Sequence, residues 1–166
     1  TNVAAERLSF ATDLAGCIDG AEVVFIAVGT PSRRGDGHAD LSYIYQAAKE
    51  IAECATGPLI VATKSTVPVG TGDEVERILR KTRPSLDLLV ASNPEFLREG
   101  SAIEDFKRPD RIVIGCNDER ARLVMSEVYR PLYLNTPPIL FTSRRTSELI
   151  KYAANAFLAT KLSFIN

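Results

Sequence analysis

The chain has 166 residues, 45% of them hydrophobic, and a formal net charge of −1. That length carries one full hydrophobic core, the charge balance gives no reason to expect a nucleic-acid partner, and the longest apolar runs are too short to cross a bilayer. With three cysteines in no paired or metal-like spacing and one histidine, neither a disulfide framework nor a metal centre is expected, and a reducing cytoplasm is the default compartment.

In chain order, Leu8–Ala11 reads as a short strand and Glu22–Val28 (EVVFIAV) as a strand buried on both faces. A helix is expected over Leu41–Cys54, with Asp40 as its N-cap. Leu59–Thr63 reads as strand, Thr71–Lys81 as a charged helix and Leu86–Ser92 as strand. Ser101–Asp105 has room for one helical turn, Arg111–Gly115 is strand, Asp118–Tyr129 helix and Ile139–Thr142 strand. A long helix starts near Ser143, with an apolar stripe of Leu149, Ile150, Ala153, Ala154, Phe157, Leu158 and Ile165. Ser32–Gly37 (SRRGDG) is the expected loose loop. Alternating strands and helices of this length predict an α/β fold, a Rossmann-like parallel sheet with flanking helices, followed by the start of a long connecting helix. The helical pattern still runs at the final SFIN with no cap, which reads as a piece of a longer chain.

Open parallel sheets hold ligands beyond the carboxyl ends of their strands. Three successive strands here run into proline-stiffened loops: Gly29-Thr30-Pro31, then Lys64-Ser65-Thr66-Val67-Pro68, then Asn93-Pro94-Glu95-Phe96-Leu97-Arg98-Glu99. All three should open on one edge. Gly29 allows close backbone approach, and Thr30, Ser65 and Thr66 offer hydroxyls. Glu95 and Glu99 would face one way if their loop were helical; otherwise they are solvated acids paired with Arg98 or Lys107. Lys151 and Asn155 stack one turn apart on the border of the last helix's stripe, where a lysine is commonly a snorkelling surface residue. Lys161 falls nearer the stripe's centre, which suggests a buried ion pair or a partner surface.

Two further patterns invite other functions. Tyr45 and Lys49 form YxxxK, with Ser32 upstream, as in short-chain dehydrogenases, but the glycine-rich opening loop of those enzymes is absent, as is any GxGxxG. A flavodoxin-like or receiver-like binding module would share the alternating pattern, yet no paired acids follow the first strand.

The stretches FIAVGTPS, KSTVPVGT, NPEFLREGSAIEDFKRPDRIVIG and ELIKYAANAFLATKLSFIN resemble the nucleotide-sugar dehydrogenases of the UDP-glucose/GDP-mannose dehydrogenase family, the UDP-glucose branch in particular, over nearly the whole chain; the GDP-mannose and UDP-N-acetylmannosamine dehydrogenases, which share parts of these motifs, are the alternative. The resemblance implies oxidation of UDP-glucose at C6 to UDP-glucuronate in two hydride transfers to NAD, through a thioester on a cysteine. It implies an NAD site lined by Val28, Gly29, Thr30, Ser65, Thr66 and Glu99. Thr66 would help hold a catalytic water that Glu95 activates as base. Glu95, Phe96, Leu97, Lys151 and Asn155 would contact substrate, with Lys151 and Asn155 stabilising the oxyanion. Residues 1–142 would be a partial NAD-binding domain, and 143–166 the start of a central helix through which the parent protein forms a homodimer or higher oligomer. The first strand with its GxGxxG loop and the nucleophilic cysteine would lie outside the chain; Cys17, Cys54 and Cys116 match no cysteine motif of the family.

Overall fold

The computed structural model describes residues 2–35, 37–135 and 139–166. Its elements are α1 (Leu14–Ile18), β1 (Val23–Ile26), α2 (Ser42–Cys54), β2 (Leu59–Thr63), α3 (Thr71–Thr82), β3 (Leu88–Ser92), α4 (Ala102–Lys107), β4 (Ile112–Gly115), α5 (Glu119–Tyr129), a 3-10 helix (Arg130–Asn135), β5 (Ile139–Thr142) and α6 (Arg144–Ile165). The strands form one five-stranded sheet in sequential order β1-β2-β3-β4-β5. The α/β, Rossmann-like architecture matches the expectation, down to the long final helix.

Alternation along the strands divides the core. Leu59, Val61, Leu88 and Val90 point to one face and pack with α2 and α3 residues Ile44, Ala48, Ile51, Val75 and Leu79. Ile60, Ala62 and Ala91 point to the other, against Ala121, Met125 and Tyr129 of α5. Among the described residues no helix is long and apolar enough to cross a membrane.

The sheet is mixed rather than all parallel. β1, β2 and β3 run parallel, but β4 meets β3 antiparallel at Ser92↔Gly115, and β5 then follows β4 in parallel. The reversal arises because α4, between β3 and β4, has only six residues, none buried. It makes no crossover over a sheet face, so the chain re-enters from the edge at which it left.

Leu8–Ala11 is not a strand. This four-residue run finds no sheet partner and stays exposed, with Phe10 83% accessible. The next turn is helical instead: the Asp13 carboxylate accepts hydrogen bonds from the Ala15 and Gly16 amides and starts α1. β1 is shorter than its apolar run and pairs only with β2, leaving Phe25 half-exposed at the sheet edge. Asp40 caps α2 from one residue outside the N-cap, accepting from the Ser42 amide at 3.0 Å. The Ser32–Gly37 loop is closed by a bridge between Ser32 and Ala39 and by the Arg33 amide donating to the His38 carbonyl.

Candidate functional site

Ile26, Thr63 and Ser92 lie at one level of the sheet, because Ile26 pairs with Thr63 and Thr63 with Ser92. The three loops therefore leave side by side, as the sequence pattern predicts. The Lys64 amide donates back to the Ile26 carbonyl at 2.8 Å, and the Asn93 amide to the Thr63 carbonyl at 2.9 Å. The Ser65 hydroxyl donates to the Val28 carbonyl at 2.6 Å and the Thr30 hydroxyl to the Thr66 carbonyl at 3.1 Å. These bonds stitch the first two loops into one crest. Val28, Thr30, Ser65 and Thr66 are half-buried within it, while Gly29 is exposed on top. A Cβ at Gly29 would meet no atom within 4 Å, so nothing stands over the backbone at that point of the crest.

In the third loop Glu95 turns inward. Its Oε1 accepts from Lys151 Nζ at 3.0 Å and its Oε2 from the Leu97 amide at 2.5 Å. Burial pushes the Glu95 carboxyl up, but the Leu97 amide, the Lys151 ammonium and the nearby Lys64 charge more than offset that, and the group is held below the usual range. Lys151 is only 6% exposed, so the snorkelling alternative fails. A lysine withdrawn from water requires a partner, and α6 brings it directly onto one. The ammonium also lies 5.3 Å from the Phe96 ring centre, which Arg111 covers at 4.3 Å.

Glu95, Phe96 and Leu97 line a cavity of about 470 Å³ beneath the chain reversal between β3 and β4, together with Lys64, Asn93 and Tyr129. The Tyr129 hydroxyl donates to Asn93 Oδ1. Asn93, 1% exposed, is oriented by donating Nδ2 to the Val113 carbonyl at 2.9 Å. Lys64 Nζ sits 3.4 Å from both Asn93 Oδ1 and the Tyr129 hydroxyl. Burial draws the Lys64 pKa down to about 8 and Lys151 adds to that, against the pull of Glu95. Burial likewise pushes the Tyr129 phenol up to about 12 despite its bond to Asn93. Sequence reasoning singled out none of Lys64, Asn93 or Tyr129. For Lys64 a signal existed, since a lysine directly after the strand LIVAT, buried along its whole length, sits at the ligand edge. For Tyr129 there was none, because the end of α5 reaches the site only through the reversal of β4.

Other expected site residues stand apart. The loop at Asn93–Arg98 is not helical, so Glu95 and Glu99 share no helical face, and Glu99 is exposed in the turn that follows. Arg98 pairs with Asp105 at 2.7 Å and Lys107 with Glu104 at 3.8 Å, rather than with either of those glutamates. Lys151 and Asn155 do not line the cavity. Lys151 backs Glu95 from α6, and Asn155, one turn on, is exposed. Lys161 is exposed, its ammonium 5.7 Å from the Phe157 ring centre. The YxxxK pattern carries no site, since the Lys49 side chain is 57% exposed and paired with Glu53. Among the described residues no cysteine lines the cavity; Cys17 is exposed and Cys116 buried.

α6 is held by its polar side. Arg144, Ser147, Glu148 and Lys151, spaced as one helical face, are its buried residues. The Ser147 hydroxyl donates to the Ser92 carbonyl at 3.0 Å. Glu148 accepts from the Gly70 amide at 2.6 Å, the Gly72 amide at 2.7 Å and the Ser92 hydroxyl at 3.1 Å, filling the N-terminus of α3 with a carboxylate. Gly70 takes φ 96° there, a left-handed conformation suited to glycine. Arg144 pairs with Asp73 and Glu76 of the same helix. Most of the apolar stripe faces outward, with Phe157 68% and Ile165 76% exposed, while Ile150 and Ala154 are half-buried.

Residues 1–133 match the model of the UDP-glucose/GDP-mannose dehydrogenase family, NAD binding domain. The chain belongs to the UDP-glucose/GDP-mannose dehydrogenase family. It is 70% identical over 168 residues to a UDP-glucose 6-dehydrogenase of Rhizobium meliloti (strain 1021), an alignment that covers 100% of this chain and 38% of that protein. Among solved structures it is similar to a UDP-glucose dehydrogenase from the archaeon Pyrobaculum islandicum, with a TM-score of 0.92 and 46% identity over 99% of this chain and 38% of that one. A ternary complex of GDP-mannose dehydrogenase from Pseudomonas aeruginosa gives a TM-score of 0.90 and 34% identity, covering 97% of this chain and 38% of that one. The chain thus spans well under half the length of the relatives it matches. Family membership removes the short-chain-dehydrogenase and receiver-like readings.

Proposed function

We propose that this chain is the cofactor-binding portion of an NAD-dependent UDP-glucose 6-dehydrogenase, which oxidises UDP-glucose to UDP-glucuronate in two hydride transfers. The observation that carries the reading is the Glu95 carboxylate. It is held ionised by Lys151 and the Leu97 amide on the edge of a cavity, beside the open crest at Gly29. The relatives named as UDP-glucose 6-dehydrogenases support the choice of substrate.

The residues present fit a dinucleotide. The crest from Val28 to Thr30 and from Ser65 to Thr66 is rigid, since its hydroxyls are tied to backbone carbonyls, and it offers unobstructed backbone at Gly29. When bound, NAD supplies the hydride acceptor. Thr66, at the crest's inner end, and Glu99, on the turn beyond Glu95, flank that position in this reading. Glu95 takes the proton of the water that releases the product, with Phe96 and Leu97 forming a wall against the sugar. The family resemblance puts the nucleophilic cysteine in a segment outside these residues.

In the same reading, residues 1–142 form the NAD-binding unit and 143–166 begin the helix leading to a substrate-binding part, with Lys151 and Asn155 near the substrate. The outward apolar face of α6 supports a homodimer or higher oligomer, and the three free cysteines agree with a reducing cytoplasm. The test is to supply the full-length protein with NAD⁺ and UDP-glucose and follow NADH. Two NADH per UDP-glucose, with negligible turnover of GDP-mannose, is the expected result. Turnover of GDP-mannose alone would move the protein to the other branch of the family, and no NADH with either sugar would defeat the reading.

A further inference from the structure

The cations around the cavity are unequal. Lys151 is neutralised by Glu95 at 3.0 Å and lies behind it, outside the cavity lining. Arg98 is paired with Asp105. Arg108 and Arg111 are exposed on the rim. Lys64 differs from all of these. It lines the cavity and is partly withdrawn from water, and its amine is held only by neutral oxygens, Asn93 Oδ1 and the Tyr129 hydroxyl, each at 3.4 Å. Among the described residues it has no carboxylate within ion-pair distance.

Such long contacts to neutral partners leave most of the ammonium's hydrogen-bonding capacity unspent. A desolvated charge in that condition is costly on its own and gains strongly when an anion arrives. Its neighbours fix it in place without consuming its charge. Asn93 is oriented by the Val113 carbonyl, and its Oδ1 also accepts from Tyr129. We propose that Lys64 is the anion-receiving group of this cavity, placed to hold the negative charge that oxidation builds at C6 of the sugar, ending as the product carboxylate. The inference rests on the reading of the cavity as the sugar site of a UDP-glucose dehydrogenase. It adds Lys64 to the residues that contact the C6 oxygens, near the ion pair of Glu95 with Lys151.

The groups facing Lys64 are Tyr129 from α5, Glu95 from the loop after β3 and Lys151 from α6. Tyr129 stays neutral across the useful pH range, since burial puts its phenol at about 12. Lys64, at about 8, is the group that changes charge just above neutrality.

The experiment is calorimetric titration of the full-length enzyme with UDP-glucuronate, which carries a carboxylate at C6, and with UDP-glucose, which does not. Lys64→Met should weaken UDP-glucuronate about 10- to 100-fold, the size of one charge-assisted contact, and UDP-glucose by less than about 3-fold. Lys64→Arg should retain most of the preference. Raising the pH from 7 to 9.5 should weaken UDP-glucuronate in the unmodified enzyme, because Lys64 loses its proton, and should have little effect in Lys64→Arg, which stays charged. Equal losses for the two ligands, or an unmodified enzyme whose preference ignores pH, would overturn the assignment while leaving the dehydrogenase reading intact. An unmodified enzyme that binds neither nucleotide sugar takes both readings down.

Discussion

Lys151 Nζ and Glu95 Oε1 meet at 3.0 Å, joining α6 to the loop after β3 across 56 positions of sequence. Lys151 is nearly sealed from solvent and Glu95 is about one-third exposed, so the pair places the charged end of a carboxylate at the cavity edge and its counter-ion in the protein. Removing the ammonium leaves Glu95 with the Leu97 amide and the more distant Lys64. In the full-length enzyme Lys151→Ala should lower kcat by about 100-fold or more, comparable to losing one preorganised donor at a reacting centre. Lys151→Arg should not restore it, since a planar fork does not fit the space of a compact ammonium. The sign of the pH effect follows from the pair. Glu95 is held below its ordinary pKa, so the native charge interaction is complete above the ordinary value and is lost as pH falls through the lowered one. Without Lys151 the Glu95 pKa rises, and the acid limb of the kcat profile should move toward neutrality. An unmoved limb with unchanged kcat would reduce Lys151 to a structural pair.

Gly115, the last residue of β4, marks where α6 crosses the sheet. A Cβ there would lie 2.6 Å from Ser147 Cβ and 2.7 Å from both Arg144 Cα and the Ser143 carbonyl oxygen. Two of those three contacts are backbone, so α6 must shift to admit a methyl group. Gly115→Ala should destabilise the fold by on the order of 3 kcal/mol, read as a lower urea midpoint at constant m-value. Gly29→Ala is the contrasting case. Its Cβ meets nothing, so stability should stay within about 0.5 kcal/mol, while NAD⁺ affinity drops if the crest is the cofactor's approach.

Most of the sheet was legible because its strands are near-uninterrupted apolar runs ending in proline and glycine, and the shared edge of three loops followed from their order. Three things were not. The reversal of β4 depends on α4 being too short to cross a sheet face, and a β-loop-β stretch of that length looks the same in sequence either way. Lys64 was in view as part of KSTVPVGT, but its isolation from carboxylates is a property of Asn93 and Tyr129 side chains brought in from other elements. The anchoring of α6 is the third. Hydrophobic periodicity marks the apolar stripe but not the face that binds the sheet, and here Ser147, Glu148 and Arg144 are drawn inward by unpaired amides at the start of α3 and by its acidic first turn, leaving most of the apolar stripe outside.

Glu148 gives that polar contact a pH signature. Burial raises its pKa above 4.5, opposed by the hydrogen bonds from Gly70, Gly72 and Ser92 and aided by the Asp73 charge. An acid whose pKa is higher folded than unfolded binds more protons in the native state across the interval between the two values. Its contribution to stability is therefore greatest at the acid end of that interval and declines as pH rises through it. Glu148→Gln should flatten this slope. It should also cost about 1–3 kcal/mol at neutral pH, because an amide NH₂ would face one of the two backbone amides. Parallel urea titrations at several pH values check both effects, and an unchanged slope would mean that Glu148 titrates alike in the two states.

The outward face of α6 supplies the last prediction. Leu158 and Leu162 are 57% and 56% exposed, and Phe164 is 91% exposed, on a helix whose anchored residues end at Lys151. Exposed apolar area of that extent is what association surfaces present, and beyond Lys151 every residue but the half-buried Ala154 is exposed. Residues 1–166 produced alone should therefore self-associate, with sedimentation velocity showing species larger than a monomer. Leu158→Glu combined with Leu162→Lys should shift the distribution to monomer. The new charges are one turn apart, with the acid N-terminal, an arrangement that supports the helix, so circular dichroism should be unchanged. Persistent association in the double variant would move the contact to another exposed apolar feature, the open edge of β1 at Phe25, where an unpaired strand can add a neighbour through its backbone. Charged substitution at Phe25 would then be the variant that dissociates the species.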